Sequence, residues 1–231
     1  MAETMTEPHD DAPGRPVIVV HGYLAAKEMM IPMRSRLAAE GFDAHIAQLP
    51  PLLLGKVEPM AGLLASEVDR ITGRSPDGKC DLVGVSLGGL LGLRYLQRFD
   101  DHQRVRRFVT VGTPFRGSRA ARAATLLLGR ISPAARQLLP GSSFIETLNR
   151  EGLPEQVKAL SICATRDSLA PPPACVLDGA ENVELLGAPP PMTHQALVVS
   201  SEVSRLMVDF LRGDDTPHDL SLDPEGRAAI G

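Results

Sequence analysis

The chain has 231 residues, of which 43% are hydrophobic and 23% are charged, and its formal net charge at pH 7 is −4. This length and apolar content suit one domain with a sizeable core and are short for two independent domains. The negative charge, the 3% aromatic content and the lack of tryptophan exclude the basic, stacking surface of a nucleic-acid-binding protein.

Strand-like and helix-like patterns alternate along the chain. Residues 17–20 form a β-branched run without polar alternation, as in strands buried on both faces of a parallel sheet. Further strands are predicted at residues 42–49, 82–85, 105–111, 157–163 and 183–186. Helices are predicted at residues 29–40 (with Pro32 in the first turn), 59–72, 87–97 and 196–211. The alternation predicts a doubly wound, mostly parallel sheet of about six strands.

The two ends differ in composition from the rest of the chain. Residues 1–15 and 213–231 are rich in Asp, Pro and Gly and carry few apolar side chains, so we expect flexible tails around a domain of residues 16–212. The acidic, proline-bearing N-terminus lacks the apolar segment of a signal peptide, and no stretch approaches a membrane span. We therefore expect a soluble, cytoplasmic protein.

The three cysteines are Cys80, Cys163 and Cys175, and none belongs to a C-x-x-C pair. This spacing argues against a zinc site and against a disulfide framework. Buried thiols are the preferred interpretation, and a bridge between Cys163 and Cys175 remains an alternative.

The stretch GVSLG places Ser86 between a buried strand and a helix. A nucleophile elbow requires this context, because the turn pushes the serine into a strained conformation and exposes its hydroxyl. Gly84 and Gly88 would let the strand and the helix approach each other without Cβ clashes. Taken alone, the stretch fits a glycine-rich turn without chemistry equally well.

The first strand runs directly into the residues HGY, which end at Tyr23. A loop at this end of the sheet can aim the backbone N–H of Tyr23 at the same point as the N–H of Leu87, and two such donors make an oxyanion hole. The alternative is a simple turn in which His21 packs locally.

In this architecture, a general base and its orienting acid follow the nucleophile in the chain. Asp167 and His194 each follow a predicted strand, so both belong on the side of the sheet where Ser86 emerges. His194 would accept the serine proton and Asp167 would orient the imidazole. Asp178 is the second candidate for the acid. The other histidines lie in tails, in a strand or in a charged turn: His9, His45, His102 and His218.

Six successive stretches carry a family resemblance: PVIVVHGY, DLVGVSLGGL, FVTVGTPFRGS, LLPGSSFIETLN, ATRDSLAPP and MTHQAL. They resemble the motifs of the α/β-hydrolase superfamily, in particular of lipase-like serine esterases, over residues 17–211. The resemblance implies an α/β-hydrolase fold with helices on both faces of the sheet, a Ser86, Asp167 and His194 triad, oxyanion donors at Tyr23 and Leu87, an acyl-enzyme and no cofactor or metal. Because few residues precede the first strand, the leading strands of the full fold are expected to be missing, which shortens the sheet.

Residues 115–155 form an insertion that resembles a small helical cap or lid. Arginines and leucines lie close together in it, among them Arg116, Arg119, Arg122, Arg130, Arg136, Leu126, Leu127, Leu128, Leu138 and Leu139. We expect it to shape an apolar acyl pocket and to make transient contact with a lipid surface. An ordinary solvated pair of helices is the alternative. Two proline clusters, residues 171–173 and 189–191, would stiffen the loops that carry the acid and the base.

The sequence therefore predicts a carboxylic-ester hydrolase, of esterase or lipase type, whose substrate is a small-molecule or lipid ester. An acyltransferase or thioesterase with the same triad remains open, since only the acceptor or the leaving group would differ. A binding protein on a hydrolase frame is disfavoured, because it would have no need of nucleophile, acid, base and oxyanion donors together.

Overall fold

The computed structural model describes residues 14–100, 103–128, 130–186 and 193–213, and in them six strands form one parallel sheet. The strands are β1 (Pro16–Val20), β2 (Asp43–Ile46), β3 (Cys80–Val85), β4 (Val105–Val111), β5 (Lys158–Ala164) and β6 (Glu181–Leu185). Their order across the sheet is β2-β1-β3-β4-β5-β6, and every neighbouring pair is parallel. The predicted fold class is confirmed.

The sheet is covered on both faces, and β1 shows how the sequence produces this. Val17 and Val19 join one apolar cluster, whereas Ile18 and Val20 join the other, and all four side chains are fully buried. Successive side chains of a strand point to opposite faces, so a continuous apolar run is the pattern that a doubly covered strand requires.

Nine helices are present in the described residues. They are α1 (Ile31–Ala39), α2 (Val57–Thr72), α3 (Leu87–Arg98), α4 (Ala121–Leu128), α5 (Pro133–Gln137), α6 (Ser143–Glu151), α7 (Pro172–Cys175), α8 (Thr193–Val199) and α9 (Ser201–Arg212). Helices α2, α3 and α6 pack on one face of the sheet, and α1, α8 and α9 pack on the other. The helices α4 to α6 lie between β4 and β5, within the predicted cap.

Three predicted elements differ from the observed ones. The last helix is two helices, because Ser200 leaves helical geometry and its Oγ accepts the N–H of Val203 at 3.3 Å to cap α9. The second strand is shorter than predicted and ends at Ile46, ahead of Pro50. A 3₁₀ turn at Lys27–Met30 precedes α1, whose first turn contains Pro32 as expected.

The predicted tails fall mostly on residues 1–13 and 214–231, which lie outside the described residues, as do Pro189, Pro190 and Pro191. Arg15 is buried at the amino-terminal edge of the sheet, where it donates to Asp81 at 3.4 Å and to the carbonyl of Leu211 at 3.2 Å. None of the helices in the described part of the chain has the length and apolar character needed to span a bilayer.

Candidate active site

Ser86 occupies the sharp turn between β3 and α3. Its backbone has φ 54° and ψ −121°, a conformation that is strained for any residue with a Cβ. Two hydrogen bonds hold this geometry: the Ser86 N–H donates to the Val111 carbonyl at 2.9 Å, and the Ser86 carbonyl accepts from the Gly89 N–H at 3.0 Å. The side chain is thereby presented to a pocket at the carboxyl end of the sheet.

Gly84 and Gly88 make the turn sterically feasible. A Cβ on Gly84 would lie 2.5 Å from the backbone of Gly89, and a Cβ on Gly88 would lie 2.3 Å from the carbonyl oxygen of Val20. Any larger residue would push α3 away from the sheet and move Ser86 with it.

His194 and Asp167 meet through a short hydrogen bond beside this pocket. Nδ1 of His194 lies 2.6 Å from Oδ2 of Asp167, whose side chain is fully buried. The other carboxylate oxygen, Oδ1, accepts the N–H groups of Leu169 at 2.9 Å and Ala170 at 3.1 Å. Because the carboxylate accepts, Nδ1 carries the proton, and Nε2 keeps its lone pair for another partner.

Gly112, at the end of β4, is a residue that the sequence reasoning missed. It has φ +58°, and a Cβ there would lie 3.0 Å from Cε1 and 3.2 Å from Nδ1 of His194. The imidazole therefore packs directly on the Gly112 backbone. The glycine that follows the strand was visible in the sequence, but its contact with a ring 82 positions away was not.

The loop after β1 runs past Ser86. A Cβ on Gly22 would lie 2.9 Å from the Ser86 Cβ and 3.6 Å from its Oγ. Within the described part of the chain, neither the N–H of Tyr23 nor that of Leu87, the first residue of α3, bonds to an acceptor. Both N–H groups are thus available to a ligand, and the helix terminus adds partial positive charge at Leu87.

Two neighbours support this loop. His21 is fully buried and its Nδ1 donates to the Gly22 carbonyl at 3.1 Å, while burial lowers the pKa of the imidazole and favours its neutral form. The Tyr23 hydroxyl donates to Oγ of Ser132 at 2.9 Å, and Ser132 caps α5. The predicted oxyanion loop is therefore hydrogen-bonded to the predicted cap.

The pocket beside Ser86 has a volume of about 340 Å³ and is mostly apolar. The predicted cap contributes Ser118, Ala120, Ala121, Ala124 and Leu138 to its lining. Ser86, His194 and Tyr23 all line this pocket. The arrangement presents a serine hydroxyl, an oriented imidazole and an apolar cavity to a single ligand.

The alternative site residues lie elsewhere. Asp178 is exposed and both of its carboxylate oxygens accept from Arg116, at 3.0 and 2.9 Å. His45 lies on β2 and is 2.8 Å from Asp43. His9, His102 and His218 lie outside the described residues.

The sequence matches the model of one protein family. The family model described as alpha/beta hydrolase fold matches residues 15–142, which is more than half of the sequence. The chain belongs to the α/β-hydrolase fold family. No protein in the curated set matches it.

Several solved structures resemble this α/β hydrolase. Lipase B of Aspergillus fumigatus has 18% identity and a TM-score of 0.71, with 89% of this chain and 54% of that chain covered. The mature lipase BlEst2 of Bacillus licheniformis has 19% identity, a TM-score of 0.71 and coverages of 89% and 94%. The monoacylglycerol lipase of Paleococcus ferrophilus has 20% identity, a TM-score of 0.59 and coverages of 87% and 96%. At these identities the likeness shows the fold, and the chain spans about half of the Aspergillus enzyme.

Proposed function

We propose that the chain hydrolyses carboxylic esters with an apolar acyl group through an acyl-enzyme on Ser86. His194 is the general base, Asp167 orients it, and the N–H groups of Tyr23 and Leu87 bind the oxyanion. The observation that carries the proposal is the 2.6 Å hydrogen bond between His194 and the buried Asp167 carboxylate, because His194 and Ser86 line the same pocket. The lipases among the similar structures support the same reaction class.

The proposed reaction begins with attack of Ser86 Oγ on the ester carbonyl carbon, while Nε2 of His194 accepts the serine proton. The carbonyl oxygen becomes an oxyanion that is stabilised by two N–H donors and by the amino-terminal end of α3. When the tetrahedral adduct collapses, the alcohol leaves with the proton from His194. Water then attacks the acyl-enzyme by the same route, and the carboxylic acid is released.

The lining of the pocket supports an apolar acyl group. The side chains beside Ser86 include Leu138 and Val198, and the small residues Ala121 and Ala124 leave room beneath the cap. None of the described lining residues is a lysine, arginine, aspartate or glutamate. A charged acyl group would lose its hydration without a partner in such a pocket, whereas each buried methylene contributes about 0.8 kcal/mol.

Hydrolysis of p-nitrophenyl esters from acetate to palmitate tests this function. We expect kcat/KM to rise by about fourfold per methylene until the pocket is full, and to level off or fall beyond that length. Adding a competing alcohol and analysing the products separates hydrolysis from acyl transfer. The proposal is wrong if no ester of the series is turned over, or if an added acceptor takes the acyl group in preference to water.

We further propose that the insertion of residues 115–155 is a cap that contacts anionic lipid surfaces. Leu126, Leu127 and Ile131 are 87%, 80% and 65% exposed. The two leucines lie on α4, the helix that also lines the pocket through Ala121 and Ala124. Residues 113–145 contain five arginines and no aspartate or glutamate, although the whole chain carries a net charge of −4. An exposed apolar patch within a basic segment suits insertion at a negatively charged interface.

Co-sedimentation with vesicles tests the lipid contact. We expect binding to vesicles that contain phosphatidylglycerol and weaker binding to pure phosphatidylcholine, with salt reducing the difference. The double substitution Leu126→Ser and Leu127→Ser should weaken binding by about tenfold or more. Leu63→Ser is the matched control, because Leu63 is an exposed leucine on α2. Equal binding of the two variants, or no binding of the wild type, would remove the lipid contact from the proposal.

A further inference from the structure

Cys163 and Cys175 form a pair that the proposed reaction does not use. Cys163 lies near the end of β5, Cys175 ends α7, and together with Ala170 they form a small apolar cluster. Both are reduced in this structure. The segment between them carries Asp167, so the two thiols flank the loop of the proposed catalytic acid.

Several hydrogen bonds join Cys175 to β5 and to the Asp167 loop, next to Cys163. Ser161, on the same face of β5 as Cys163, donates to the carbonyl of Cys175 at 2.8 Å. The thiol of Cys175 donates to the carbonyl of Ala170 at 3.2 Å. The N–H of the same Ala170 donates to Oδ1 of Asp167, so a displacement of Cys175 is transmitted to the carboxylate through a single residue.

The thiols are not equivalent. The neighbouring Cys175 side chain lowers the pKa of Cys163, whereas the Cys163 side chain and burial raise the pKa of Cys175. Cys163 is also the more exposed of the two, at 7% against 1%, so we expect it to react first, since the thiolate is the nucleophile. Both cysteines line an open pocket of about 420 Å³, which shares no described residue with the pocket beside Ser86. A small oxidant can reach the pair without entering the proposed active site.

We propose that Cys163 and Cys175 form a reversible disulfide with a small-molecule disulfide such as oxidised glutathione, and that this bond slows turnover by displacing the Asp167 loop. The Cys163 thiolate attacks one sulfur of the reagent, forms a mixed disulfide and releases one thiol. The Cys175 thiolate then attacks the Cys163 sulfur and releases the second thiol. The two cysteines lose two electrons and two protons. The reagent takes up these electrons and protons and is reduced to two thiols.

The bond has a structural consequence for Asp167. A disulfide requires an S–S distance of about 2.05 Å, which is shorter than the contact distance between two separate thiols. Its formation also removes the S–H donor that holds the carbonyl of Ala170. We therefore expect Ala170 to shift, Asp167 to lose part of its N–H support, and His194 to be held less well. We expect a displacement of this kind to lower kcat by about tenfold and to leave KM nearly unchanged.

The experiment treats the reduced wild-type protein with oxidised glutathione and follows mass and ester turnover in parallel. We expect a mass lower by two hydrogens, a cross-linked peptide that joins residues 163 and 175, a lower kcat and full recovery with dithiothreitol. Cys163→Ser and Cys175→Ala should keep their kcat under the same treatment. Cys80→Ser should respond like the wild type, because Cys80 is buried in a different apolar cluster. Thermal melting of each reduced variant shows that it is folded.

The outcomes are distinguishable. An unchanged mass, or a stable glutathione adduct on a single cysteine, overturns the disulfide. A disulfide that forms without changing kcat overturns the effect on the Asp167 loop. The mass measurement does not depend on the proposed function, so an inactive wild-type protein that still forms the cross-link would contradict the hydrolase proposal and leave the disulfide established.

Discussion

Ser86→Ala is expected to lower kcat for ester hydrolysis by about 10⁶-fold, essentially to the background rate of the solution. The hydroxyl is the only group of this side chain that the proposed reaction uses. Alanine keeps the Cβ, which packs near Gly22. The substitution therefore removes the acyl-enzyme and leaves the pocket and the oxyanion donors in place. Pre-steady-state measurement with an excess of a p-nitrophenyl ester of the preferred chain length would detect the loss, because the variant would release no p-nitrophenol beyond the background rate.

Ser66→Ala is the matched control for this experiment. Ser66 is exposed on α2, where its hydroxyl donates only to the Gly62 carbonyl at 3.4 Å, so its loss should leave kcat within about twofold of the wild type. If Ser86→Ala retained more than a small fraction of the wild-type activity, Ser86 would be a turn residue and the proposed mechanism would fail.

The strained backbone at Ser86 provides a second readout from the same position. Glycine adopts a positive φ without a Cβ penalty, whereas alanine retains the strain of serine. Ser86→Gly should therefore be more stable than Ser86→Ala by about 1 kcal/mol, after allowance for the greater entropy of glycine in the unfolded chain. Denaturant unfolding of the two inactive variants measures this difference.

The fold was largely predictable because its central strands are buried on both faces. Such strands carry unbroken runs of β-branched and aliphatic residues, as in residues 17–20, and the pattern needs no knowledge of partners. The break at Ser200 was missed because apolar residues continue at helical spacing across it. The pattern of burial does not change there, and the Ser200 hydroxyl can cap α9 only because the Ser200 backbone is extended, which the sequence does not show.

The candidate site was predictable for a different reason. In a parallel sheet the carboxyl ends of the strands meet at one edge, so Ser86, Asp167 and His194 could be assigned to that edge from chain order. Gly112 and Ser132 were missed because their roles arise from contacts between distant segments. The hydroxyl of Tyr23 meets Ser132 across 109 positions, and neither residue type indicates that pairing.

Asp167 and Asp178 illustrate what geometry adds to chain order. Both follow the nucleophile and precede His194, and sequence alone favoured Asp167 only by its position at a strand exit. In the structure Asp167 is buried and bonded to the imidazole, whereas Asp178 is exposed and bonded to Arg116. The two aspartates therefore form a matched pair for substitution.

Asp167→Asn should lower kcat by about 10³- to 10⁴-fold while the protein remains folded. Two backbone N–H groups point at Oδ1, so the amide oxygen of asparagine must take that position and its NH₂ group must face Nδ1 of His194. An NH₂ group donates, which forces Nδ1 to accept and moves the imidazole proton to Nε2. The base then has no lone pair for the Ser86 proton, although every distance in the site is preserved.

This prediction separates a tautomer effect from a loss of structure. Asp178→Asn, the matched control, should retain wild-type kcat within about threefold, because exposed ion pairs contribute little and Asp178 touches neither His194 nor the pocket. Steady-state kinetics of both variants, with melting temperatures to verify folding, provide the comparison. A small effect of Asp167→Asn together with a large effect of Asp178→Asn would transfer the role of the acid to Asp178. Because asparagine keeps the size of Asp167 and its bonds to the two N–H groups, a large loss confined to Asp167→Asn can be attributed to the proton on the imidazole.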